Sequence, residues 1–207
     1  TNPHNPTGQL WSRDSLLGLL DRVPRLMVDE AFLPLVADGE QQSLAALASR
    51  HPRLVVIRSL TKLFGIAGLR LGYAIAEPQR LQRWSVWRAP WPVNGLAAAA
   101  GEVLMADAAW TRRVQTWVAT ERPWLVGELV RRGWQVSPSS GNFLLVRRGH
   151  SLETWRQKLE QKHHILVRDC RSFEGLDERW WRLALLDRRR NRRLLRALDQ
   201  VQATDRA

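Results

Sequence analysis

A lysine, two hydroxyl groups and an arginine follow one apolar segment closely. Residues 54–57 are apolar, Ser59, Thr61 and Lys62 come directly after them, and Arg70 lies a short distance further on. Hydroxyl and guanidinium groups suit a phosphate, and a lysine amine held at a strand end in a partly desolvated pocket can react with an aldehyde. The segment therefore predicts a site for a small molecule that carries both a phosphate and an aldehyde.

A carboxylate ends a second apolar segment. Asp29 comes directly after residues 26–28, which are Leu, Met and Val. Pyridoxal phosphate carries a phosphate and an aldehyde, and its ring nitrogen needs a carboxylate partner to stay protonated. Because the ends of neighbouring strands in an α/β sheet face one cleft, we expect Asp29 and Lys62 to serve the same cofactor. These residues predict pyridoxal phosphate.

The elements that must position these residues alternate between strand and helix patterns. The first part of the chain predicts strands at 26–29, 54–59 and 69–76 and helices at 15–20 and 42–49. The order strand, helix, strand implies a sheet whose faces are covered. Beyond Pro90 and Pro92, the pattern predicts helices at 96–105, 111–132, 152–161 and 190–201, and strands at 134–136, 142–147, 165–168 and 181–185. The fold class is therefore α/β.

Composition limits the class of protein. The chain has 207 residues, of which 44% are hydrophobic and 25% charged, as in folded α/β proteins. No segment approaches the roughly 20 apolar residues that span a bilayer, and the N-terminus does not resemble a signal peptide. The single cysteine, Cys170, excludes an intrachain disulfide, so we expect a cytoplasmic protein. We expect His163 and His164 to lie in a turn, and Cys170 is isolated in the sequence, so we expect no metal site.

The net charge of +12 predicts attraction to phosphates or acidic surfaces. Much of it lies in residues 188–193, RRRNRR, which we interpret as the solvated face of a helix. Nucleic-acid binding is an alternative, but no known DNA or RNA module pattern accompanies the charge. Residues 1–8, TNPHNPTG, have turn chemistry that should follow a strand, so we expect a segment upstream of Thr1.

A series of ordered motifs resembles a known family. The motifs are NPHNPTG at 2–8, VDEAF at 28–32, RSLTKLFGIAGLRLGY at 58–73 and NFLLVR at 142–147. The series resembles the class I/II aminotransferases, which are pyridoxal-phosphate enzymes of fold type I. Within that family, residues 90–98 and 165–185 most resemble threonine-phosphate decarboxylases of cobalamin synthesis and, next, histidinol-phosphate aminotransferases.

The resemblance implies a domain organisation. Residues 1–92 would be the C-terminal portion of the large mixed-sheet cofactor-binding domain, 93–107 a linking helix, and 108–207 the small C-terminal α/β domain. In such enzymes the first half of the chain supplies a glycine-rich phosphate loop and dimer contacts. We therefore expect a homodimer if that half is present.

The resemblance also implies roles for the residues around the cofactor. Lys62 would bind the cofactor covalently and move protons, Asp29 would pair with the ring nitrogen, and Asn5 would donate to the phenolic oxygen. The cofactor phosphate would be held by side chains near the lysine, namely Ser59, Thr61 and Arg70.

Further residues are assigned to the substrate. Arg182 lies where the family binds the substrate carboxylate, Asn142 where a second contact to it is common, and Arg168 where histidinol-phosphate enzymes bind a phosphate. Phe32 replaces a tyrosine that contacts the phenolic oxygen in many relatives, and Leu186 replaces an arginine often found there.

The expected function is that of an enzyme, or a fragment of one, acting on a phosphorylated amino acid, nearest to L-threonine O-3-phosphate decarboxylase. The alternatives are a histidinol-phosphate-type aminotransferase and a catalytically inactive remnant. Transamination and decarboxylation both stay open, because the sequence does not show which bond at Cα is held perpendicular to the cofactor ring.

Overall fold

The computed structural model describes Thr1–Arg206, with side chains through Asp205. The chain forms two compact units, and each contains helices and strands. One unit comprises Thr1–Pro3 and Leu10–Thr116, and the other comprises His4–Gln9 and the chain from Trp117 onward. The domain boundaries at residues 92–93 and 107–108 stay predictions of the sequence. Among the described residues, no helix has the length and apolar content needed to cross a membrane.

The first unit is built around a small mixed sheet. Its elements, in chain order, are α1 (Arg13–Arg22), β1 (Leu26–Asp29), α2 (Ala45–Ala48), β2 (Leu54–Ser59), α3 (Leu60–Leu63), β3 (Gly72–Ala76), α4 (Pro78–Ser85) and α5 (Gly95–Ala106). Helix α6 (Ala108–Arg131) follows and continues into the second unit. In the sheet order β1-β2-β3, β1 and β2 run parallel and β3 runs antiparallel to β2. The C-terminal ends of β1 and β2 therefore lie at the same edge of the sheet.

Buried apolar residues of α1, α2 and the sheet pack together and hold both helices against one face of the sheet. The buried cluster consists of Leu16, Leu20, Val28, Leu44, Ala48, Leu54 and Val56. The predicted strands 26–29 and 54–59 are confirmed at these bounds. The expectation of two covered faces is wrong in part, because Met27, whose side chain points to the other face from Val28, is 60% exposed.

Two predicted elements of the first unit are shorter than expected. The strand predicted at 69–76 starts only at Gly72, because Arg70 has a left-handed backbone with φ of 55° and ends a 3-10 turn at Ala67–Leu69. The helix predicted at 42–49 is a 3-10 turn at Gly39–Gln42 followed by the short α2. Both differences arise from backbone turns that the apolar pattern does not encode.

A buried ion pair joins the ends of β1 and β2. Glu30 follows β1 and is fully buried, and its carboxylate lies 2.7 Å from a guanidinium nitrogen of Arg58 in β2. The same carboxylate accepts hydrogen bonds from Ser43 Oγ at 2.8 Å and from the Leu44 backbone N–H at 2.9 Å. Arg58 also binds both carboxylate oxygens of Glu40 at 2.7 and 2.8 Å. The charges buried beside the strand ends are thus paired and hydrogen-bonded.

The pKa of Arg58 reflects this network. Burial of the guanidinium lowers the pKa, but the hydrogen bond to Glu40 and the negative charges of Glu30 and Glu40 raise it, and the net direction is upward. Arg58 therefore stays charged whenever the unit is folded.

The second unit has an antiparallel sheet. Its elements after α6 are β4 (Gln135–Val136), β5 (Phe143–Arg147), α7 (Glu153–His163), β6 (Arg168–Asp169), β7 (Trp180–Ala184) and α8 (Arg188–Arg206). The sheet order is β4-β5-β7-β6, so β5 and β7 are central and β6 is at an edge. Fully buried side chains of this unit include Leu125, Leu129, Leu144, Leu159, Trp181, Leu183 and Leu198.

The strand predicted at 165–168 is mostly absent. Only Arg168 and Asp169 pair with β7, opposite Arg182 and Trp181. His164, the residue that follows α7, has a left-handed backbone with φ of 52° directly before the segment, and Leu166 is 80% exposed. The apolar residues 165–167 therefore leave the sheet instead of extending its edge.

The loop His4–Gln9 is part of the second unit. Gly8 donates its N–H to the His4 carbonyl at 2.6 Å, and its own carbonyl accepts from the Ser140 N–H at 2.7 Å. Gly8 has a φ of 78°, and a Cβ at this position would overlap with the Ser139 side chain. Only glycine fits here without strain or displacement of Ser139.

We expect Gly8→Ala to lower the free energy of unfolding by about 2 kcal/mol or more, because it combines a left-handed alanine with steric overlap. Gly127→Ala is the matched control in the same unit, since a Cβ there meets nothing within 4 Å and the residue lies in α6. Its expected effect is a gain of about 0.5–1 kcal/mol. Urea unfolding of the two variants measures both values, and equal effects would contradict the close approach of Gly8 to Ser139.

We expect Arg58→Met to cost about 3–5 kcal/mol, because it leaves the Glu30 carboxylate buried without its cation. Arg131→Met, which breaks an exposed ion pair with Glu128, should cost less than about 1 kcal/mol. Thermal or urea unfolding measures the difference. A loss as small for Arg58→Met as for Arg131→Met would show that Glu30 finds another partner or water.

Candidate functional site

The lysine lies at the end of a chain of hydroxyl groups. Ser59, the last residue of β2, caps α3 by accepting the Thr61 N–H at 3.3 Å, and its Oγ lies 2.7 Å from Thr61 Oγ1. Lys62 Nζ donates to Thr61 Oγ1 at 3.1 Å. The strand end thus places three polar side chains in one hydrogen-bonded series.

The Lys62 amine is open to solvent. The Lys62 side chain is exposed, and its Nζ lies 5.8 Å from the centre of the Phe32 ring. The partly desolvated pocket expected around Lys62 is therefore wrong for the residues that the structure describes. Phe32 is close to the amine and offers it a π-face in place of a tyrosine hydroxyl.

Asp29 lies at the end of the neighbouring strand. In the parallel pairing of β1 with β2, Asp29 is opposite Ile57, and Ile57 is two residues before Ser59. The Asp29 side chain is half-buried. One of its carboxylate oxygens accepts the Ala31 N–H at 2.9 Å, and its carbonyl accepts the Asn2 N–H at 2.8 Å. The structure therefore brings the predicted carboxylate and the predicted hydroxyls to one sheet edge, held there by Glu30 and Arg58.

Arg70 lies on the segment that returns from α3 to β3. Its exposed guanidinium donates to the Ala67 carbonyl at 3.1 Å, and the following Leu71 carbonyl accepts the Leu60 N–H at 3.2 Å. Next, Gly72 passes so close to β2 that a Cβ would lie 2.7 Å from the Arg58 carbonyl oxygen. The tight return is what a glycine after Leu71 permits.

A second group of predicted residues lies in the second unit. Arg182 in β7 donates from Nη1 to the Asn5 side-chain oxygen at 2.5 Å, and its guanidinium lies 5.3 Å from the centre of the Phe143 ring. Burial lowers the pKa of Arg182, the nearby Cys170 opposes this effect, and the positive charge of Arg168 adds to it. The sequence assigned Asn5 to the cofactor and Arg182 to the substrate, and the structure joins them by a hydrogen bond.

The two predicted substrate arginines form a cross-strand pair. Arg168 in β6 is directly opposite Arg182 in β7, so both side chains are on the same face of the sheet. Arg168 is exposed, donates to Ser172 Oγ at 3.1 Å and lies 5.7 Å from the centre of the Phe173 ring. Like charges at opposite positions repel each other, so this face favours a bound anion.

The remaining residues near the pair are less polar. Asn142 is half-buried at the start of β5, and its carbonyl accepts the Leu185 N–H at 2.8 Å. Cys170 is fully buried, and burial raises the pKa of its thiol. Among the described residues, no group of three or more His, Cys, Asp or Glu side chains could hold a metal ion.

Sequence reasoning missed the residues that support the ends of β1 and β2 in the first unit. Glu40 and Ser43 lie in the loop before α2, and no motif marks them. The available signal was the presence of Glu30 and Arg58 next to apolar strand residues, since a charge in such a position needs a partner.

Comparisons with known proteins agree with this fold. Residues 1–198 match the family described as aminotransferase class I and II. The threonine-phosphate decarboxylase of Salmonella typhimurium is 37% identical over 206 residues, which cover 96% of this chain and 56% of that protein. The chain thus spans little more than half the length of this relative.

Solved structures show the same mixed α/β fold. The histidinol-phosphate aminotransferase from Clostridium acetobutylicum matches with a TM-score of 0.91 and 29% identity, covering 98% of this chain and 62% of that one. The histidinol-phosphate aminotransferase from Sinorhizobium meliloti, solved in complex with pyridoxal-5'-phosphate, matches with a TM-score of 0.88 over 98% of this chain and 56% of that one. At 22% identity this second likeness concerns the fold alone. Motifs, fold and relatives agree, and the chain belongs to the class I and II aminotransferase family.

Proposed function

We propose that this chain carries the cofactor lysine and the substrate arginines of a pyridoxal-phosphate enzyme that acts on a phosphorylated amino acid, nearest to L-threonine O-3-phosphate decarboxylase. The observation that carries the proposal is the Lys62 amine at the end of the Ser59–Thr61 hydroxyl series, with Asp29 at the end of the adjacent strand. The Salmonella relative and the family support it.

The side chains of the first unit fit the cofactor by their chemistry. Lys62 offers an amine for an aldehyde, Ser59, Thr61 and Arg70 offer donors for a phosphate, and Asp29 offers a carboxylate for a ring nitrogen. When bound, pyridoxal phosphate supplies a protonated ring that withdraws electrons from the substrate's Cα. The relative from Sinorhizobium meliloti, which has the same fold, was solved with this cofactor.

The residues of the chain would do the positioning and the proton transfer. The hydrogen bond that Lys62 Nζ donates to Thr61 Oγ1 orients the amine, and the cap from Ser59 holds Thr61. An amine so oriented can take a proton from the substrate or return one to it. The network of Glu30 and Arg58 keeps Asp29 and Ser59 at the same sheet edge.

The side chains of the second unit fit the anionic groups of the substrate. A phosphorylated amino acid carries a carboxylate and a phosphate, and Arg182 and Arg168 offer one guanidinium for each. Asn5 holds the guanidinium of Arg182 in one orientation, and Asn142 lies on the adjacent strand β5. Two anionic groups favour threonine phosphate over histidinol phosphate, which has a phosphate and no carboxylate. We therefore rank the histidinol-phosphate aminotransferase reaction second.

Three finer points belong to this proposal. From the family resemblance we infer that the whole protein acts as a homodimer in the cytoplasm and that its reaction belongs to cobalamin synthesis. The chain spans 56% of its Salmonella relative, so each point concerns the activity of the whole protein.

Pyridoxal phosphate should label Lys62 selectively. The lysines of the chain are Lys62, Lys158 and Lys162, and only Lys62 lies beside the hydroxyl series. We expect a visible absorbance band that borohydride reduction fixes as a mass increase on the peptide with Lys62. The measurement is peptide mass spectrometry after reduction.

Lys62→Ala is the control for this labelling. The variant should lose the band while Lys158 and Lys162 keep their low background labelling. Equal labelling of all three lysines, or an unchanged band in Lys62→Ala, would contradict the cofactor site and favour a chain without catalytic activity.

Arg168→Gln should reduce the affinity for O-phosphothreonine by about 10- to 100-fold and leave the affinity for threonine nearly unchanged, because only the phosphate loses a charged donor. Ligand-observed NMR on the chain measures both affinities. Arg171→Gln is the control, since Arg171 is an exposed neighbour that pairs with Asp169 and Glu153. A parallel loss for both ligands would assign Arg168 to a structural role.

A further inference from the structure

A cavity of about 230 Å³ opens where the second sheet loses its edge strand. One wall is residues 165–167, which precede β6, and the other walls come from β7 and α8. The ladder between β6 and β7 pairs Arg168 with Arg182 and stops there. Continued in the same register, it would pair Leu166 with Ala184. The cavity therefore lies where a longer β6 would pair with the end of β7.

Backbone polar groups face this gap. Leu185 donates its N–H to the Asn142 carbonyl, on the side of β5. Because the backbone groups of successive strand residues point to opposite sides, the N–H and C=O of Ala184 point toward the side of β6. On that side, a longer β6 would place Leu166 opposite Ala184, but the ladder ends at Arg168. A ligand in the cavity thus meets a backbone donor and acceptor at one wall.

The other walls are aliphatic. Leu183 and Leu194 contribute buried side chains, while Val167 is half-buried and Leu166 is exposed. Leu183 follows Arg182 in β7, so these two side chains point to opposite faces of the sheet. Leu183 therefore lines the cavity from the face opposite Arg182, whereas Ala184 lies on the same face as Arg182.

Cationic groups border the aliphatic walls. Arg190 and Arg193 of α8 line the cavity together with His164, and none of the described residues that line it is acidic. Arg193 donates to the His163 carbonyl at 2.6 Å, which holds its guanidinium near the end of α7. Arg190 lies 3.4 Å from Asp187 in a pair whose side chains are 71% and 54% exposed, so the carboxylate neutralises it only weakly.

Most arginines of the basic run in α8 are exposed, as the sequence predicts, and Arg188 is the exception. Arg188 pairs with Glu121 at 2.9 Å and lies 3.9 Å from the centre of the Trp124 ring. Arg189 and Arg192 are exposed and do not line the cavity, whereas Arg190 and Arg193 do. The run therefore consists of one packed arginine and four exposed ones, of which Arg190 and Arg193 border the cavity.

We propose that this cavity binds a small amphipathic anion, namely an aliphatic carboxylate of about six carbons. The aliphatic walls take the tail, and Arg190, Arg193 and the Ala184 N–H take the carboxylate. The volume is below the roughly 300 Å³ at which pockets for drug-sized ligands begin, which favours a short chain. The proposal does not depend on the cofactor site, because the two groups of residues do not overlap.

Hexanoate tests the proposal directly. In ¹H–¹⁵N correlation spectra of the full chain, hexanoate should shift the amides of Leu166 and Ala184 with a Kd on the order of 1–10 mM. Acetate, which lacks the tail, and hexylammonium, which reverses the charge, should bind at least about tenfold more weakly. Equal binding of hexylammonium, or hexanoate shifts confined to other residues, would overturn the assignment.

A charge-matched pair of variants separates the cavity from general attraction to α8. The double variant R190Q/R193Q should lose at least about tenfold in hexanoate affinity, whereas R189Q/R192Q, with the same net charge, should stay within about twofold. R190K/R193K keeps both charges and should retain most of the affinity. Similar losses in the two glutamine variants would show that the anion follows the helix charge alone, and the proposal would fail.

Discussion

The pairing of Glu30 with Arg58 is the constraint on which the first unit's candidate site depends. Burying two charges costs several kcal/mol each, and hydrogen bonds from further partners are needed to help offset that cost. Here the partners include Ser43, the Leu44 backbone and Glu40, all from the segment that leads into α2. Because Glu30 adjoins Asp29 and Arg58 adjoins Ser59, the loop that supplies these partners helps to fix the positions of both functional residues. The contacts that stabilise the strand ends are therefore also the contacts that set the geometry of the site.

The two units orient their functional side chains in different ways. In the first, functional side chains follow strand ends and are oriented by short hydrogen bonds to their own neighbours, as Lys62 is by Thr61. In the second, Arg182 is oriented by Asn5, a residue 177 positions away in the chain. The first arrangement depends on contacts between near neighbours in sequence, whereas the second requires the loop His4–Gln9 to be correctly folded.

Sequence patterns predicted what local chemistry determines. Strands β1 and β2 were predicted at their bounds because short apolar runs there end in polar residues, and the motifs identified the family. The start of β3 and the strand at 165–168 were wrong, since the left-handed residues Arg70 and His164 are not marked by glycine. Similarly, the bond between Asn5 and Arg182 depends on folding over long sequence separation, and the exposure of Lys62 depends on what surrounds it in space.

The membership of His4–Gln9 in the second unit makes that unit discontinuous in sequence. A crossover within α6 would transfer the sheet of β4 to β7 without the loop whose Gly8 packs on Ser139 and bonds to Ser140. A hybrid of two relatives joined there would combine a loop from one parent with a surface from the other. The two units are therefore not interchangeable modules, and the loop and the Ser139 surface on which Gly8 packs must come from one parent.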